Sequence, residues 1–175
     1  MQEYRVTVGE YAPGAIRFYK PGTNDLHRLD GPAIVNSAGD KFWYQNNKYH
    51  RIDGPAVERA DGYKAWFQND QRHRTDGPAI EYANGDKVWY QNGKRHHVDG
   101  PAREYANGDK FWYVDGKCHR IDGPAVEWAN GDVEYWLNGI QLTPAQFKKK
   151  TAPKPKEMTI AEIEALRGHS VKVVK

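Results

Sequence analysis

Five histidine–aspartate pairs with a constant separation, His27 and Asp30, His50 and Asp53, His73 and Asp76, His96 and Asp99, His119 and Asp122, carry the most obvious chemical potential in this chain. An imidazole near a carboxylate can do acid–base work or help to bind a metal. The pairs recur every 23 residues, and that periodicity argues against both. A metal draws its ligands to about 2.0–2.3 Å from one point, whereas equivalent residues in successive repeats of stacked strands lie roughly 10–14 Å apart. Each centre would have one His and one carboxylate. A nucleophile or general acid normally occurs once, among unique neighbours, yet here nearly every polar residue has several copies. The unique candidates are Cys118, His97 and His169, and none has a specially placed base. Cys118 stands where the preceding repeat has Arg95. No Gly-rich phosphate loop with a Lys is present. The expectation is no catalysis, metal or cofactor. His and Arg are assigned to hydrogen bonds with turn carbonyls or the Asp carboxylate, the alternative being a partner-binding row.

The elements that position these residues are written in the period itself. Asp-Gly-Pro-Ala occurs at Asp30, Asp53, Asp76, Asp99 and Asp122. Self-similarity at such a period marks stacked supersecondary units. Trp43, Trp66, Trp89 and Trp112 form one column, with Tyr135 in the same place and Trp136 beside it. Tyr44, Phe67, Tyr90 and Tyr113 form the next. His50, His73, His96 and His119, preceded by His27, complete the frame with a Glu column (Glu58, Glu81, Glu104, Glu127) and a Lys column (Lys41, Lys64, Lys87, Lys110). Asp53, Gly54 and Pro55, with the Trp and His columns, are read as structural.

Composition narrows the class. The 175 residues are 38% hydrophobic and 13% aromatic, with a mean hydropathy of -0.93, so aliphatic core is scarce and rings supply the apolar surface. The net charge of +3 has interleaved signs and does not by itself announce nucleic acid. One cysteine excludes an intrachain disulfide. No apolar run approaches the ~20 residues of a membrane span, and no basic-then-apolar leader follows Met1. A cytoplasmic, reducing compartment is the expectation.

Asn-Gly between alternating segments signals a two-residue type I′ hairpin turn, here at Asn84-Gly85, Asn107-Gly108 and Asn130-Gly131. That turn would set Tyr82 opposite Lys87, Ile80 opposite Trp89, Glu81 opposite Val88 and Ala79 opposite Tyr90. One face would carry Trp, the β-branched residue after Ala and the Lys stem; the other would carry Ala, Tyr and Glu. Trp would be the buried column. A second turn at Asn92-Gly93 or Asp115-Gly116 leads into the His-Arg segment, and Pro keeps strands short. Two or three strands per repeat are both compatible. The expected fold is all-β: an elongated antiparallel β-hairpin repeat array with a short C-terminal helix and strand. Residues 1–29 read as a degenerate capping repeat, 30–144 as five repeats, 145–157 as a Lys/Pro-rich linker, and 158–175 as a helix–strand module. That module opens on the Thr159-Ile160-Ala161-Glu162 capping box, stops at Gly168 and ends in a strand over 171–174.

Trp89-Tyr90-Gln91-Asn92-Gly93-Lys94-Arg95-His96, with Tyr-x-Asn-Gly-Asp and the 23-residue period, resembles the membrane occupation and recognition nexus (MORN) repeat over about Leu26 to Gly139. Arg-x-Asp-Gly-Pro-Ala stands where that family has Gly-x-Gly. Similar His-Arg-x-Asp-Gly-Pro-Ala arrays occur in proteins of large DNA viruses and bacteriophages, and the segment from Met158 resembles a C-terminal module of phage proteins. The resemblance implies a non-catalytic β-hairpin array for protein–protein interaction, scaffolding, dimerisation or lipid-headgroup contact. On that reading the partner is a host protein, a defence or regulatory factor, bound or inhibited in the host-cell cytoplasm. Alternatives are self-assembly into a homo-oligomer, and nucleic acid or acidic lipid held by the basic rows and Lys148 to Lys156. The expected partner-binding residues are Tyr44, Phe67, Tyr90, Tyr113, Trp136, Arg72, Arg95 and His97.

Overall fold

The computed structural model describes residues 3–9, 14–153 and 158–167. The chain is an all-β array built on one antiparallel sheet of 13 strands, followed by short helices. At the usual strand spacing the sheet is roughly 55–60 Å long. Among the described residues, no helix is long and apolar enough to cross a membrane.

The repeat from Asp76 shows how the array is built. It contributes four two-residue strands: Ile80–Glu81, Lys87–Val88, Tyr90–Gln91 and Lys94–Arg95. The first two join the long sheet, and the last two form a separate hairpin beside it. Two strands per repeat therefore lengthen the sheet, a rise of about 10 Å. Trp89 links the two rows: its N–H donates to Ala102 O at 2.8 Å, and its carbonyl accepts from His96 N at 3.2 Å. Neighbouring hairpins are tied by Arg74 N to Tyr90 O at 3.1 Å and Gly93 N to Arg72 O at 3.0 Å.

The first turn corrects the expected register. Tyr82 N donates to Asp86 O at 2.9 Å and Gly85 N to Tyr82 O at 3.0 Å, enclosing the three residues Ala83, Asn84 and Gly85. Gly85 alone of these takes positive φ, at 94°. This is a type I turn closed by a glycine bulge, not a type I′ turn. Ile80 consequently pairs with Val88, and Glu81 with Lys87. The type I′ geometry belongs to the second turn, where Asn92 and Gly93 have φ of 49° and 76°. A one-residue slip exchanges the faces of a strand, so the buried column changes as well. Ala33, Ala56, Ala79, Ala102 and Ala125 have no exposed surface at all, and Val57, Ala65, Ile80 and Val88 form a continuous apolar row across paired strands. The column tryptophans Trp43, Trp66, Trp89 and Trp112 are only half-buried. Beside the apolar row runs an alternating one, in which Lys41, Glu58, Lys64, Glu81, Lys87, Glu104, Lys110 and Glu127 are successive cross-strand neighbours. Opposite charges in such pairs add stability.

The sheet begins with the hairpin Arg5–Val8 and Ile16–Tyr19, which pairs onward with Ile34–Val35. Phe18 holds the place of Trp: its N–H donates to Ala33 O at 2.8 Å, as Trp43 does to Ala56. At the other end, Val133–Leu137 pairs with Ile140–Leu142. Helix α1, Pro144–Thr151, then occupies the first part of the stretch expected as a linker. A Thr143/Gln146 capping box opens it, Pro stands in its first turn, and Lys148, Lys149 and Lys150 lie in its last turn, where cations favour the helix dipole. Phe147 is buried against Tyr135, ring centroids 4.7 Å apart. Truncating Phe147 to Ala should cost about 3 kcal/mol or more and release α1, seen as a loss of helical signal in far-UV circular dichroism that precedes melting of the sheet. Helix α2, Ile160–Arg167, is capped by Thr159, whose Oγ1 accepts from Glu162 N at 3.3 Å while Glu162 Oε2 accepts from Thr159 N at 2.8 Å. Gly168, His169 and the strand expected over 171–174 lie outside the described residues.

Candidate functional site

The repeated polar residues form three sets of ties, and all hold the array together. The Arg of His-Arg-x-Asp-Gly-Pro-Ala lies flat over the Trp of its own repeat and clasps the turn that follows. Arg74 sits 4.0 Å from the Trp66 ring and donates to Asp76 at 2.9 Å, Pro78 O at 3.1 Å and Glu81 at 2.9 Å. Arg51 and Arg120 repeat the arrangement over Trp43 and Trp112, and Arg28 makes a smaller version over Phe18. Each guanidinium's hydrogen bond holds the carboxyl of Asp30, Asp53, Asp76 or Asp122 below the usual carboxylate range. The glycine after each Asp makes the space: a Cβ on Gly54 would stand 2.7 Å from the Arg51 guanidinium carbon.

The His column does something different. Nδ1 of His27 accepts from Asn46 N at 3.1 Å, and that of His119 from Asn138 N at 2.9 Å. His50, His73 and His96 meet Asn69, Asn92 and Asp115 in the same way at 3.2–3.3 Å. Each His thus holds the type I′ turn of the next repeat, 19 residues on. At His96 the Asp115 carboxylate lies 3.1 Å from the same nitrogen. A third tie comes from Asp40, Asp86 and Asp109, which accept from Ala60, Ala106 and Ala129 N at 2.8 Å. No group of three or more His, Cys, Asp or Glu side chains is gathered for a metal among the described residues.

Of the eight expected partner-binding residues, the structure brings most into one ladder beside the sheet. Tyr44 packs on Tyr49 at 4.3 Å, Tyr49 on Phe67 at 5.2 Å, and Arg72 lies 5.5 Å from both Phe67 and Tyr90. Arg95 follows, its Nε 3.4 Å from the Tyr90 hydroxyl and its guanidinium 5.2 Å from the Tyr113 ring. Much of each ring face is thereby taken by a neighbour, and burial with the Tyr49 hydrogen bond pushes the Tyr44 hydroxyl pKa up. Trp136 closes the same column, donating to Glu134 at 2.8 Å. Cys118, paired with Tyr113 where Arg72 and Arg95 stand earlier, has its thiol pushed by burial to a pKa of about 11 and is therefore protonated at neutral pH. His97 lies apart, stacked on Trp89 at 4.8 Å and 7°.

Sequence reading missed the most exposed apolar row. The residue between Arg or His and Asp-Gly-Pro-Ala is Leu29, Ile52, Thr75, Val98 or Ile121, and the four aliphatics are 53%, 79%, 75% and 66% exposed. The signal was present: an aliphatic four times in five inside a turn whose other residues are polar. Between successive members lie grooves floored by Trp. The groove between Leu29 and Ile52 holds about 460 Å³, that between Ile52 and Thr75 about 420 Å³, and that between Val98 and Ile121 about 660 Å³.

A single-layer array of β-hairpins, locked by repeated ties and carrying a periodic apolar ridge, defines a linear β-repeat protein. No family model matches the chain, and no curated protein matches it.

Proposed function

We propose that the chain is a non-catalytic protein-binding module. The exposed row of Leu29, Ile52, Val98 and Ile121 supports this reading, because aliphatic side chains repeating along one edge serve no internal packing. Most polar residues with chemical potential are already engaged in ties within the array. The aromatic row offers less free surface than its sequence suggested, so recognition shifts to the aliphatic ridge. On the proposed MORN-like, phage-type reading the partner is a host protein, and the ridge is where it would dock. Substituting Ile52→Asp and Ile121→Asp together should reduce capture of a stoichiometric partner from host lysate by about tenfold or more, while circular dichroism stays unchanged, since exposed positions tolerate substitution. Equal capture by the variant would remove the ridge from the interface. A second reading, self-assembly, is favoured by the open edge strand Arg5–Val8, where Val6 and Val8 are half or more exposed. Light scattering that shows a monomer at all concentrations would eliminate it.

A further inference from the structure

The array departs from its own consensus at several positions, and two of those departures meet in one groove. His97 stands where the other four repeats have Arg28, Arg51, Arg74 and Arg120. Val114 stands where earlier repeats have Gln45, Gln68 and Gln91, beside Val98, which keeps the aliphatic side chain that Thr75 alone interrupts. His97, Val98, Val114, Trp112 and Ile121 all line the groove of about 660 Å³, the largest of the three along the ridge. Two consequences follow from the exchange of Arg for His. The imidazole is shorter: it stacks on Trp89 and Nδ1 donates to Pro101 O at 2.9 Å, which leaves it without a second arm. The groove opens accordingly. Asp99, also in its wall, then has no cation within ion-pair distance among the described residues, whereas the Asp of every other Asp-Gly-Pro-Ala is paired at 2.8–3.0 Å. Glu104, the counterpart of Glu58, Glu81 and Glu127, likewise lacks the guanidinium that those three hold at 2.8–3.0 Å.

We infer that this groove is the specificity pocket of the module and takes an extended peptide segment of a partner protein in which a bulky aliphatic side chain adjoins an arginine. The aliphatic residue fills the space between Val98, Val114 and Ile121. The arginine supplies Asp99 with the cation that the other repeats supply from their own chain. Charge complementarity selects the basic residue, because burying an unpaired carboxylate under a neutral or acidic segment carries a desolvation cost that pairing offsets. A planar guanidinium suits the site better than an ammonium, since it can bind a carboxylate through two N–H groups and stack on an imidazole face. This inference rests on the protein-binding reading of the ridge.

The test uses reversion to the array's own consensus, so the variants carry residues that neighbouring repeats already accommodate. The full-length chain is titrated with acetyl-Gly-Leu-Arg-Gly-amide and followed by ¹H–¹⁵N correlation spectra. Saturable shifts at His97, Val98, Val114, Ile121 and the Trp112 indole are expected. Affinity should fall by about tenfold with the Leu→Gly or Arg→Glu peptide, and by about the same factor with H97R/V114Q protein. Shifts spread equally over all the grooves, shifts of equal strength from the control peptides, or no saturable shift would overturn the pocket. So would an unchanged response in H97R/V114Q, whose fold is checked by circular dichroism. If the titration fails while Ile52→Asp/Ile121→Asp still abolishes partner capture, the pocket falls and the ridge stands. If the titration succeeds while those charges, one of them on Ile121 in the groove wall, leave capture unchanged, the groove binds the peptide but is not where the captured partner docks, and both the ridge and the specificity pocket fall.

Discussion

Replacing Arg74 by Ala is expected to destabilise the array by about 2–3 kcal/mol, from one desolvated cation–π contact and the charge-assisted bonds to Pro78 O and Glu81. The bond to Asp76 adds little at neutral pH because that carboxylate is 81% exposed. In a domain of this size the loss lowers Tm by roughly 4–12 °C. Lysine should not restore it, since an ammonium cannot lie flat on the indole and bond three acceptors at once. The glycine in Asp-Gly-Pro-Ala provides an internal check. A Cβ on Gly77 would stand 2.9 Å from the guanidinium carbon of Arg74, so Gly77→Ala displaces the same side chain and approaches the same cost. Once Arg74 is gone, that clash is gone too. Gly77→Ala in the Arg74→Ala background should be close to neutral, a coupling of about 2–3 kcal/mol in a double-mutant cycle. Additive losses would mean that the glycine is required by its backbone and not by the guanidinium.

The same ties give the array an acid limit. The Asp53, Asp76 and Asp122 carboxyls titrate below their ordinary value because the adjacent guanidinium favours the ionised form. Their contribution is therefore complete above the ordinary carboxylate range, about pH 4, and fades as the pH falls through the depressed native values. Thermal melts below that range should show a small further loss of stability, since these carboxylates are largely exposed. The slope should be shallower in Arg74→Ala, which has one fewer carboxyl to protonate at a cost.

Enlarging the invariant alanine is the second substitution with a large expected effect. Ala79 has no exposed surface, and its carbonyl accepts from Trp66 N at 2.9 Å, where adjacent repeats close on one another. Ala79→Leu should cost about 3 kcal/mol by overpacking, against about 1 kcal/mol for Ala79→Gly. Amide hydrogen exchange at Trp66 reads the difference directly: the Leu variant should lose protection there first, because the added methyl groups push the two repeats apart at that bond.

Much of the architecture is legible in the sequence because the period is, and the period fixes an antiparallel hairpin array and the location of its turns. The register was not legible. Asn84-Gly85 and Asn92-Gly93 are the same dipeptide, yet the first sits in a three-residue loop and the second in a two-residue turn. What separates them is distant: Asp86 accepts from Ala106 N, and His73 from Asn92 N, bonds spanning about one repeat that no local pattern announces. From that single register error came the assignment of Trp, not Ala, to the buried column. The α1 helix was missed for another reason. Thr143-Pro144-Ala145-Gln146 is a readable capping box, but the lysines after it resemble a solvated linker, and only the packing of Phe147 on Tyr135 orders them. Tyr44, Phe67, Arg72, Tyr90, Arg95 and Tyr113 stand out together in the sequence because they share columns; that their rings and guanidinium groups pack in one ladder depends on the stacking of hairpins.

Sheets with many strands ordinarily fold slowly, because distant parts of a chain must find each other before any contact is rewarded. Here Glu81 meets Lys87 six residues on, Ile80 meets Ala65 fifteen back, and each histidine reaches its turn nineteen ahead. Closing loops of such lengths costs little entropy, so a nucleus formed at any hairpin can recruit the next unit on either side and spread as a zipper does. The ties that make the ridge rigid also make it quick to assemble, and a chain emerging from the ribosome can complete each rung before the following one is synthesised.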